Sequence, residues 1–217
     1  MAHPSRPPLA CGALIAFEGI DGTGKSTQVA RLVAWLRAGG WPVVETSEPT
    51  KGEWGLKIRA LTLERRGAVA REDELDWFLR DRMEHVEQTI RPALRAGKIV
   101  LTDRYYFSTM AYQGALGLDP KRIQEMNEAL FPRPDLVILF VGTPELGLSR
   151  IARHRDGGRD VAFEQSGYLR GVQALFASFR DPTIRPVDAI GSPDEVEERI
   201  RAIVTPLLDQ LATPAVT

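Results

Sequence analysis

The feature that most constrains this chain is the loop GIDGTGKS at residues 19–26. It matches the phosphate-binding pattern G-x-x-x-x-G-K-[ST] at every fixed position. An apolar run ends just before the loop at Phe17, and a helical pattern begins inside it at Lys25. The loop therefore lies between a buried strand and a helix, which is the context that the motif requires and is typical of an α/β domain.

Each residue type in this loop suits a polyphosphate. The glycines allow successive backbone N–H groups to turn inward around phosphate oxygens, and the helix N-terminus adds a partial positive charge. Lys25 is predicted to reach the β- and γ-phosphates, and the Ser26 hydroxyl to bind Mg²⁺. The predicted ATP-binding residues are Gly19, Ile20, Asp21, Gly22, Thr23, Gly24, Lys25, Ser26 and Thr27.

Short apolar runs alternate with longer helical patterns along the rest of the chain. The predicted strands are Ala13–Phe17, Pro42–Glu45, Lys98–Thr102, Leu136–Val141 and Thr183–Asp188. The predicted helices are Lys25–Ala38, Trp54–Arg65, Glu72–Ala96, Ser108–Leu116, Pro120–Leu130, Pro144–His154, Phe163–Phe179 and Pro193–Leu211. This alternation predicts a doubly wound, parallel, five-stranded sheet with helices on both faces.

Composition excludes several other classes of protein. Lys plus Arg is 28 and Asp plus Glu is 29, so a surface-wide attraction to nucleic acid or to an acidic membrane is not expected. The apolar run at Leu9–Phe17 is far shorter than the roughly 20 residues that span a bilayer. The single cysteine fits a reducing compartment, and we predict a cytoplasmic protein. Residues 1–8, with three prolines, are expected to form a disordered leader before one domain at 9–217.

The rest of the sequence narrows the class of phosphate-loop protein. A GTPase would read guanine with an Asn-Lys-x-Asp motif, but the only asparagine, Asn127, is followed by Glu128. Arginines cluster late in the chain around Asp156-Gly157-Gly158, which predicts a closing lid over ATP at about residues 150–163. The alternative for this segment is a solvated charged turn. The arginines are Arg150, Arg153, Arg155 and Arg159.

Asp103 and Arg104 come directly after the apolar strand Lys98–Thr102. The carboxyl end of a buried parallel strand opens into the ligand crevice of this fold. There an aspartate can join Ser26 in holding Mg²⁺ and its waters, and an arginine can clamp phosphate oxygens. Both residues are predicted to be catalytic, together with Lys25 and the lid arginines Arg153, Arg155 and Arg159.

Phe78 and Arg82 lie four residues apart within a predicted helix and so share one face, with His85 on the same stripe. A ring beside a guanidinium is a possible platform for a base, with a donor for a carbonyl group. The alternative is core packing together with a surface ion pair between Asp81 and His85.

These motifs together resemble the thymidylate kinase family, in order and over nearly all of the chain. They are FEGIDGTGKST at residues 17–27, Glu48-Pro49-Thr50, and the spacing Phe78-x-x-x-Arg82-x-x-His85. The most specific is DRYYFSTMAYQG at residues 103–114, and Phe163-Glu164 after the lid completes the order.

The resemblance implies phosphoryl transfer from Mg²⁺-ATP to dTMP, in a homodimer. It implies that Phe78 stacks on thymine and that Arg82 donates to a thymine carbonyl. It also implies that Tyr105 lies near the sugar and that Asp21 accepts from the 3′-hydroxyl. The implied dTMP-binding residues are Asp21, Glu48, Pro49, Phe78, Arg82, Arg104, Tyr105, Ser108, Thr109, Tyr112 and Gln113, with Thr109 and Gln113 at the base edge.

Three departures from the family pattern leave details open. Ser47 stands where the family often has arginine, and Lys51 is a candidate for the missing charge. Val161-Ala162 replaces the usual end of the lid. Arg159 is offset from its usual place, so which of Arg153, Arg155 and Arg159 reaches the γ-phosphate is not assigned. Because Gly22 supplies no arginine in the loop, the resemblance implies the bacterial subtype that uses lid arginines.

Two rival functions stay open on the sequence. One is a kinase for another nucleoside monophosphate or for a deoxynucleoside. The other is a non-catalytic module in which ATP binding switches a partner surface.

Overall fold

A computed structural model of the chain describes residues 9–64, 69–142 and 159–212. In these residues five parallel strands form one sheet in the order β2-β3-β1-β4-β5. The predicted five-stranded parallel sheet is confirmed, because each strand overlaps its predicted run. The strands are β1 (Ala13–Glu18), β2 (Val43–Ser47), β3 (Ile99–Asp103), β4 (Leu136–Val141) and β5 (Ile184–Asp188).

Helices connect these strands and cover both faces of the sheet. The described helices are α1 (Lys25–Ala38), α2 (Glu53–Glu64), α3 (Arg71–His85), α4 (Arg91–Arg95), α5 (Tyr106–Gly114), α6 (Pro120–Leu130), α7 (Arg159–Ser178) and α8 (Pro193–Ala212). The predicted helix at Pro144–His154, the leader at 1–8 and most of the predicted lid lie outside the described residues. None of the described helices combines the length and the apolar character that crossing a bilayer demands.

The sheet divides the apolar core into two layers. Successive residues of a strand point to opposite faces, so Leu14 of β1 packs in one layer and Ile15 in the other. The layer containing Leu14 is completed mainly by α5, α7 and the segment from α3 to α4. The layer containing Ile15 is completed by α1 and α8. Burial on both faces explains why β1 and β4 are almost continuously apolar.

The predicted single helix Glu72–Ala96 is interrupted. A π-helical turn, Val86–Ile90, joins α3 to α4 without a break in the chain direction. Pro92 follows at the start of α4, where it has no N–H to donate to the carbonyl of residue 88 and its ring would crowd that carbonyl. The wider turn accommodates the proline, and the helical direction is kept.

The carboxyl edge of the sheet collects the residues that carry chemistry. Asp103, the last residue of β3, is paired with Phe17 of β1 on one side and with Ser47 of β2 on the other. The phosphate loop leaves β1 one residue beyond Phe17, so it begins directly beside Asp103. The strand register therefore brings three separate sequence motifs to one edge.

Candidate active site

The phosphate loop forms an open anion-binding turn at the start of α1. Gly24 caps this helix in a left-handed conformation, with φ of 97°, and no side chain caps the first backbone N–H groups. A Cβ at Gly19, where φ is 135°, would lie 2.9 Å from the carbonyl oxygen of Phe140 on β4. The glycines are thus required by backbone conformation and close packing, and the helix N-terminus is left for a ligand.

Lys25 lies buried across the loop, where its Nζ donates to the carbonyl oxygen of Ile20 at 2.8 Å. Burial, and after it the nearby Arg104 guanidinium, lower the pKa of Lys25 from 10.5 to about 7. The surrounding carboxylates only partly oppose this effect. The charged form of Lys25 is therefore disfavoured in the free site, and a bound phosphate would stabilise it.

Ser26 and Asp103 meet as the two motifs predict. The Ser26 hydroxyl donates to Asp103 Oδ2 at 2.5 Å, joining the first turn of α1 to the end of β3. In the described part of the chain, no group of three or more His, Cys, Asp or Glu side chains is arranged to hold a metal ion. Together Ser26 and Asp103 offer an ion one hydroxyl and one carboxylate oxygen, a donor set typical of Mg²⁺ sites completed by phosphate and water.

Arg104 joins the phosphate loop to α5. Its Nη2 donates to Asp21 Oδ1 at 2.7 Å, and its Nη1 donates to Ser108 Oγ at 2.8 Å and to the Gly19 carbonyl at 3.1 Å. The guanidinium also lies 5.0 Å from the ring centre of Tyr112. Arg104 has a φ of 75°, an uncommon backbone conformation for a non-glycine residue. The strand end and α5 together hold this cation beside the loop.

Glu18 supports Arg104 from beneath and was missed as a functional residue by the sequence reasoning. It is fully buried, and it accepts from Ser108 Oγ at 2.5 Å and from the Tyr105 N–H at 2.9 Å. Burial raises the pKa of Glu18 from 4.5 to about 7, although these hydrogen bonds and Arg104 act in the opposite direction. An acidic residue at the end of an otherwise apolar, buried strand is the signal that could have identified it.

A single cleft of about 1220 Å³ joins the phosphate loop to most of the predicted acceptor-side residues. Residues 21–28 of the loop and α1 line one part, together with Ala189 after β5 and Pro193 at the start of α8. The acceptor-side residues that line the other part are Glu48, Pro49, Phe78, Ser108, Thr109, Tyr112 and Gln113. Asp103 and Arg104 also line this cleft. Gly19 and Ile20 contribute backbone rather than lining side chains.

Two further lining residues, Arg59 and Glu74, are absent from the predicted set. Arg59 of α2 donates to the carbonyl oxygens of Pro49 and Thr50, which places its charge beside the β2–α2 connection. Lys51, the predicted substitute for the missing arginine, lines a smaller neighbouring cavity instead. Beside Pro49, the cleft is therefore lined by the guanidinium of Arg59 on α2 and not by the ammonium of Lys51.

Arg82 lies beneath the cleft rather than along it. Its guanidinium is only 1% exposed and donates to Glu48, Asn127 and Thr109. Burial tends to raise the pKa of the Glu48 carboxyl, but Arg82 and His85 outweigh that effect and lower it. Contact between Arg82 and a thymine carbonyl stays a prediction that requires the guanidinium to reach the cleft beside Thr109.

The placement of Tyr105 beside the sugar is corrected by the structure. The Tyr105 ring is fully buried, 5.1 Å from the Arg82 guanidinium, and its hydroxyl donates to the Pro132 carbonyl at 3.1 Å. It therefore does not line the cleft. Its backbone N–H, which donates to Glu18, is its link to the site.

The ion pair between Asp81 and His85, which was part of the alternative interpretation of this helix, is absent from the described contacts. Asp81 accepts from the backbone N–H and the hydroxyl of Thr50, at 2.9 and 2.5 Å. His85 instead hydrogen-bonds to Glu48 at 2.9 Å and to Thr46 at 2.6 Å. Both α3 residues hold the end of β2 and the connection after it.

The predicted lid falls largely outside the described residues. Arg150, Arg153 and Arg155 lie there, and Arg159 is the first residue of α7, with a side chain outside the description. Their role as catalytic arginines stays a prediction.

Comparison with known proteins gives one consistent family. The thymidylate kinase family model matches residues 17–200. A thymidylate kinase of Desulfotalea psychrophila is 47% identical over 197 residues, which cover 91% of this chain and 96% of the relative. One from Akkermansia muciniphila is 44% identical, covering 88% and 90%. A probable thymidylate kinase of Archaeoglobus fulgidus is 41% identical, covering 90% and 96%.

Proposed function

The chain belongs to the thymidylate kinase family and phosphorylates dTMP to dTDP with ATP, and we propose that the main cleft carries out this transfer with the residues described above. One observation carries the proposal. The phosphate loop and the acceptor-side residues line the same cleft, and Arg104 bonds to Asp21 at their junction. Donor and acceptor phosphates bound in the two parts would meet beside this guanidinium.

In the donor part, the ATP phosphates bind the free N–H groups at the start of α1. Lys25 gives up its bond to the Ile20 carbonyl and donates to phosphate oxygens. Because its pKa in the free site is about 7, phosphate binding favours the charged ammonium and draws in a proton near neutral pH. The segment containing Ala189 and Pro193, which lines the same part, lies where it can contact the nucleoside of ATP.

Mg²⁺ fits the pair formed by Ser26 and Asp103. One hydroxyl and one carboxylate at the carboxyl edge of the sheet supply oxygen ligands and leave the remaining positions to phosphates and water. When bound, Mg²⁺ supplies neutralisation of the charge that develops on the transferring phosphoryl group.

In the acceptor part, Phe78 provides a face on which thymine stacks, with Thr109 and Gln113 at the base edge. Asp21 accepts from the deoxyribose 3′-hydroxyl, since an ionised carboxylate only accepts. Glu48 and Pro49 close the wall beside the sugar. These assignments rest on the family resemblance and on the positions of the side chains along the cleft.

The residues of the cleft act by positioning the two substrates and by stabilising charge, and none of them has to remove a proton from dTMP. The second pKa of a phosphate monoester is about 6, so the dTMP phosphate is largely a dianion at neutral pH and needs no general base. Arg104 and Arg59 hold its oxygens in line with the γ-phosphate of ATP, and a lid arginine completes the charge stabilisation. Positioning and charge stabilisation are the two contributions that phosphoryl transfer requires.

The test is ADP release from Mg²⁺-ATP with dTMP, dUMP, CMP, AMP and thymidine measured in parallel. We expect a strong preference for dTMP. Turnover with another acceptor would keep the kinase mechanism and overturn the thymine site. ATP binding without turnover on any acceptor would favour the switch module.

Three further predictions from the sequence accompany this proposal. We infer a single kinase domain over residues 9–217, with a lid at about 150–163. A homodimer follows from the family resemblance, and light scattering of the purified chain measures it. A cytoplasmic location follows from the cysteine content.

A further inference from the structure

Glu74 is a buried acid whose place is not explained by the transfer itself. It lies in the first turn of α3, one helical turn before Phe78, and it lines the acceptor part of the cleft. Its side chain is directed to α5, where Glu74 Oε1 accepts from Gln113 Nε2 at 2.9 Å. The residue is 8% exposed, so this hydrogen bond is shielded from water.

Gln113 has one satisfied end and one unsatisfied end. Its Nε2 faces Glu74, while its Oε1 is buried and accepts from no group in the described part of the chain. A carboxylate only accepts, so the amide nitrogen must face Glu74 and the amide oxygen must face away. Gln113 also lines the cleft, and a buried carbonyl without a donor is costly. Its oxygen is therefore available to an N–H group of a ligand.

We propose that Glu74 is a positioning residue that fixes the Gln113 amide so that its oxygen faces the acceptor base, selecting a pyrimidine that carries hydrogen on N3. This inference rests on the proposed function, because it needs the base to lie beside Gln113. Thymine has an N–H at N3, whereas cytosine has a lone pair there. The same oxygen attracts the first and repels the second, so one buried acid contributes both affinity and rejection.

A purely structural role makes a different prediction. Glu74, like Glu72 and Asp73, lies in the first turn of α3, where acidic side chains favour the helix dipole. If Glu74 acted only in this way, replacing it would lower stability and leave the choice between bases unchanged. The two roles are separated by the ratio of kcat/KM for dTMP to kcat/KM for dCMP.

The first experiment compares this ratio in the wild type, in Glu74→Gln and in Glu72→Gln. The glutamine at position 74 keeps the size of the side chain but can donate, so the Gln113 amide is free to turn over. We expect the dTMP to dCMP ratio to fall about 10-fold, mainly through a higher KM for dTMP, since a buried hydrogen bond of this kind is worth about that much. Glu72 is exposed, and its variant should keep the wild-type ratio.

The second experiment is a double-mutant cycle with Gln113→Ala. Glu74→Gln should cause no further fall in the ratio once Gln113 is gone, because Glu74 acts only through that amide. An additive effect, or an unchanged ratio in a folded Glu74→Gln variant, would overturn the proposal.

A third measurement does not depend on the stability of any variant. The wild type should phosphorylate N3-methyl-dTMP at least about 10-fold less efficiently than dTMP, since the methyl group removes the donor. Equal efficiency would overturn the proposal even if both variants unfolded. Failure of the proposed function itself has a separate signature, which is a wild type that does not phosphorylate dTMP.

Discussion

At the scale of single residues, Arg104 joins the phosphate loop to helix α5. Its guanidinium contacts the phosphate loop through Asp21 and Gly19 and contacts α5 through Ser108. Glu18 lies behind it, bonded to the same Ser108 hydroxyl. The cation is thus held in place before either substrate binds, which reduces the reorganisation that the transfer requires.

Replacing Arg104 with alanine should nearly abolish turnover in a folded protein. An arginine that stabilises the transferring phosphoryl group is worth about 10³–10⁵ in rate, so we expect kcat to fall by at least about 10³. Steady-state ADP release measures this effect, and thermal unfolding reports the folded state. Arg180→Ala, at an exposed position, is the control. Near wild-type turnover in Arg104→Ala would refute the mechanism.

Replacing Phe78 with alanine should weaken dTMP and spare ATP. Stacking of a base on an aromatic ring is worth about 1–3 kcal/mol, so the KM for dTMP should rise roughly 10- to 100-fold. Trp77→Ala is the matched control, since Trp77 is adjacent on α3 and does not line the cleft. Equal losses for both substrates would contradict a thymine platform.

At the scale of elements, α3 holds the connection between β2 and α2 in place. Asp81 accepts two hydrogen bonds from Thr50, and Thr50 is the residue after Pro49 in the wall of the cleft. Arg59 of α2 binds the carbonyl oxygens of the same two residues. Hydrogen bonds from α3 and from α2 therefore position one wall of the acceptor part.

Asp81→Ala removes both bonds to Thr50 and should act on the acceptor part alone. We expect a loss of about 1–3 kcal/mol in the free energy of unfolding, because two hydrogen bonds from the half-buried Thr50 to the buried Asp81 carboxylate are lost. The KM for dTMP should rise several-fold while the KM for ATP stays constant. Asp81→Asn should restore much of the stability and much of the affinity for dTMP, because its amide can accept from the Thr50 N–H and donate to the Thr50 hydroxyl. A rise in the KM values for both dTMP and ATP would show that Asp81 affects the donor part of the cleft as well as the acceptor part.

Some elements could be predicted from the sequence and others could not. The phosphate loop, the strands and most helices follow from local patterns, because backbone conformation and periodicity are set by near neighbours. The depth of Arg82 does not, since it depends on Glu48 and Asn127, which are 34 and 45 residues away. The burial of Tyr105, whose hydroxyl donates to the Pro132 carbonyl 27 residues away, was missed for the same reason. Arg59 lies only 9 and 10 residues from Thr50 and Pro49, and it was missed because no motif marks it.

At the scale of the whole molecule, the buried carboxyl of Glu18 makes stability depend on pH. Its pKa rises from 4.5 to about 7 on folding because of burial. The folded state then binds more protons than the unfolded state between these pH values. The stability contributed by Glu18 is fully present below pH 4.5 and is lost as the pH rises through about 7. At about 1.36 kcal/mol for each pH unit, the loss is on the order of 3 kcal/mol.

Glu18→Gln should remove this dependence. Relative to the variant, the wild type should lose roughly 2.5 kcal/mol of unfolding free energy between pH 5 and pH 8. Denaturant titrations of both proteins at the two pH values measure the difference. Lys25, whose pKa of about 7 acts in the opposite direction, is present in both proteins and largely cancels. A difference that stays constant between the two pH values would exclude a buried, titrating Glu18.

The two-layered core has a consequence for how this enzyme could be altered. The helices that carry the acceptor-side residues, α3 and α5, pack on one face of the sheet, while α1, which follows the phosphate loop, packs on the other. The helix that follows the donor-binding loop and the helices that carry acceptor-side residues therefore lie on opposite faces of the sheet. Grafting α3 and α5 from a kinase of different base preference would leave the packing of α1 and α8 untouched. The choice of acceptor base could therefore be changed by exchanging these two helices, while the helices packed behind the ATP-binding loop stay the same.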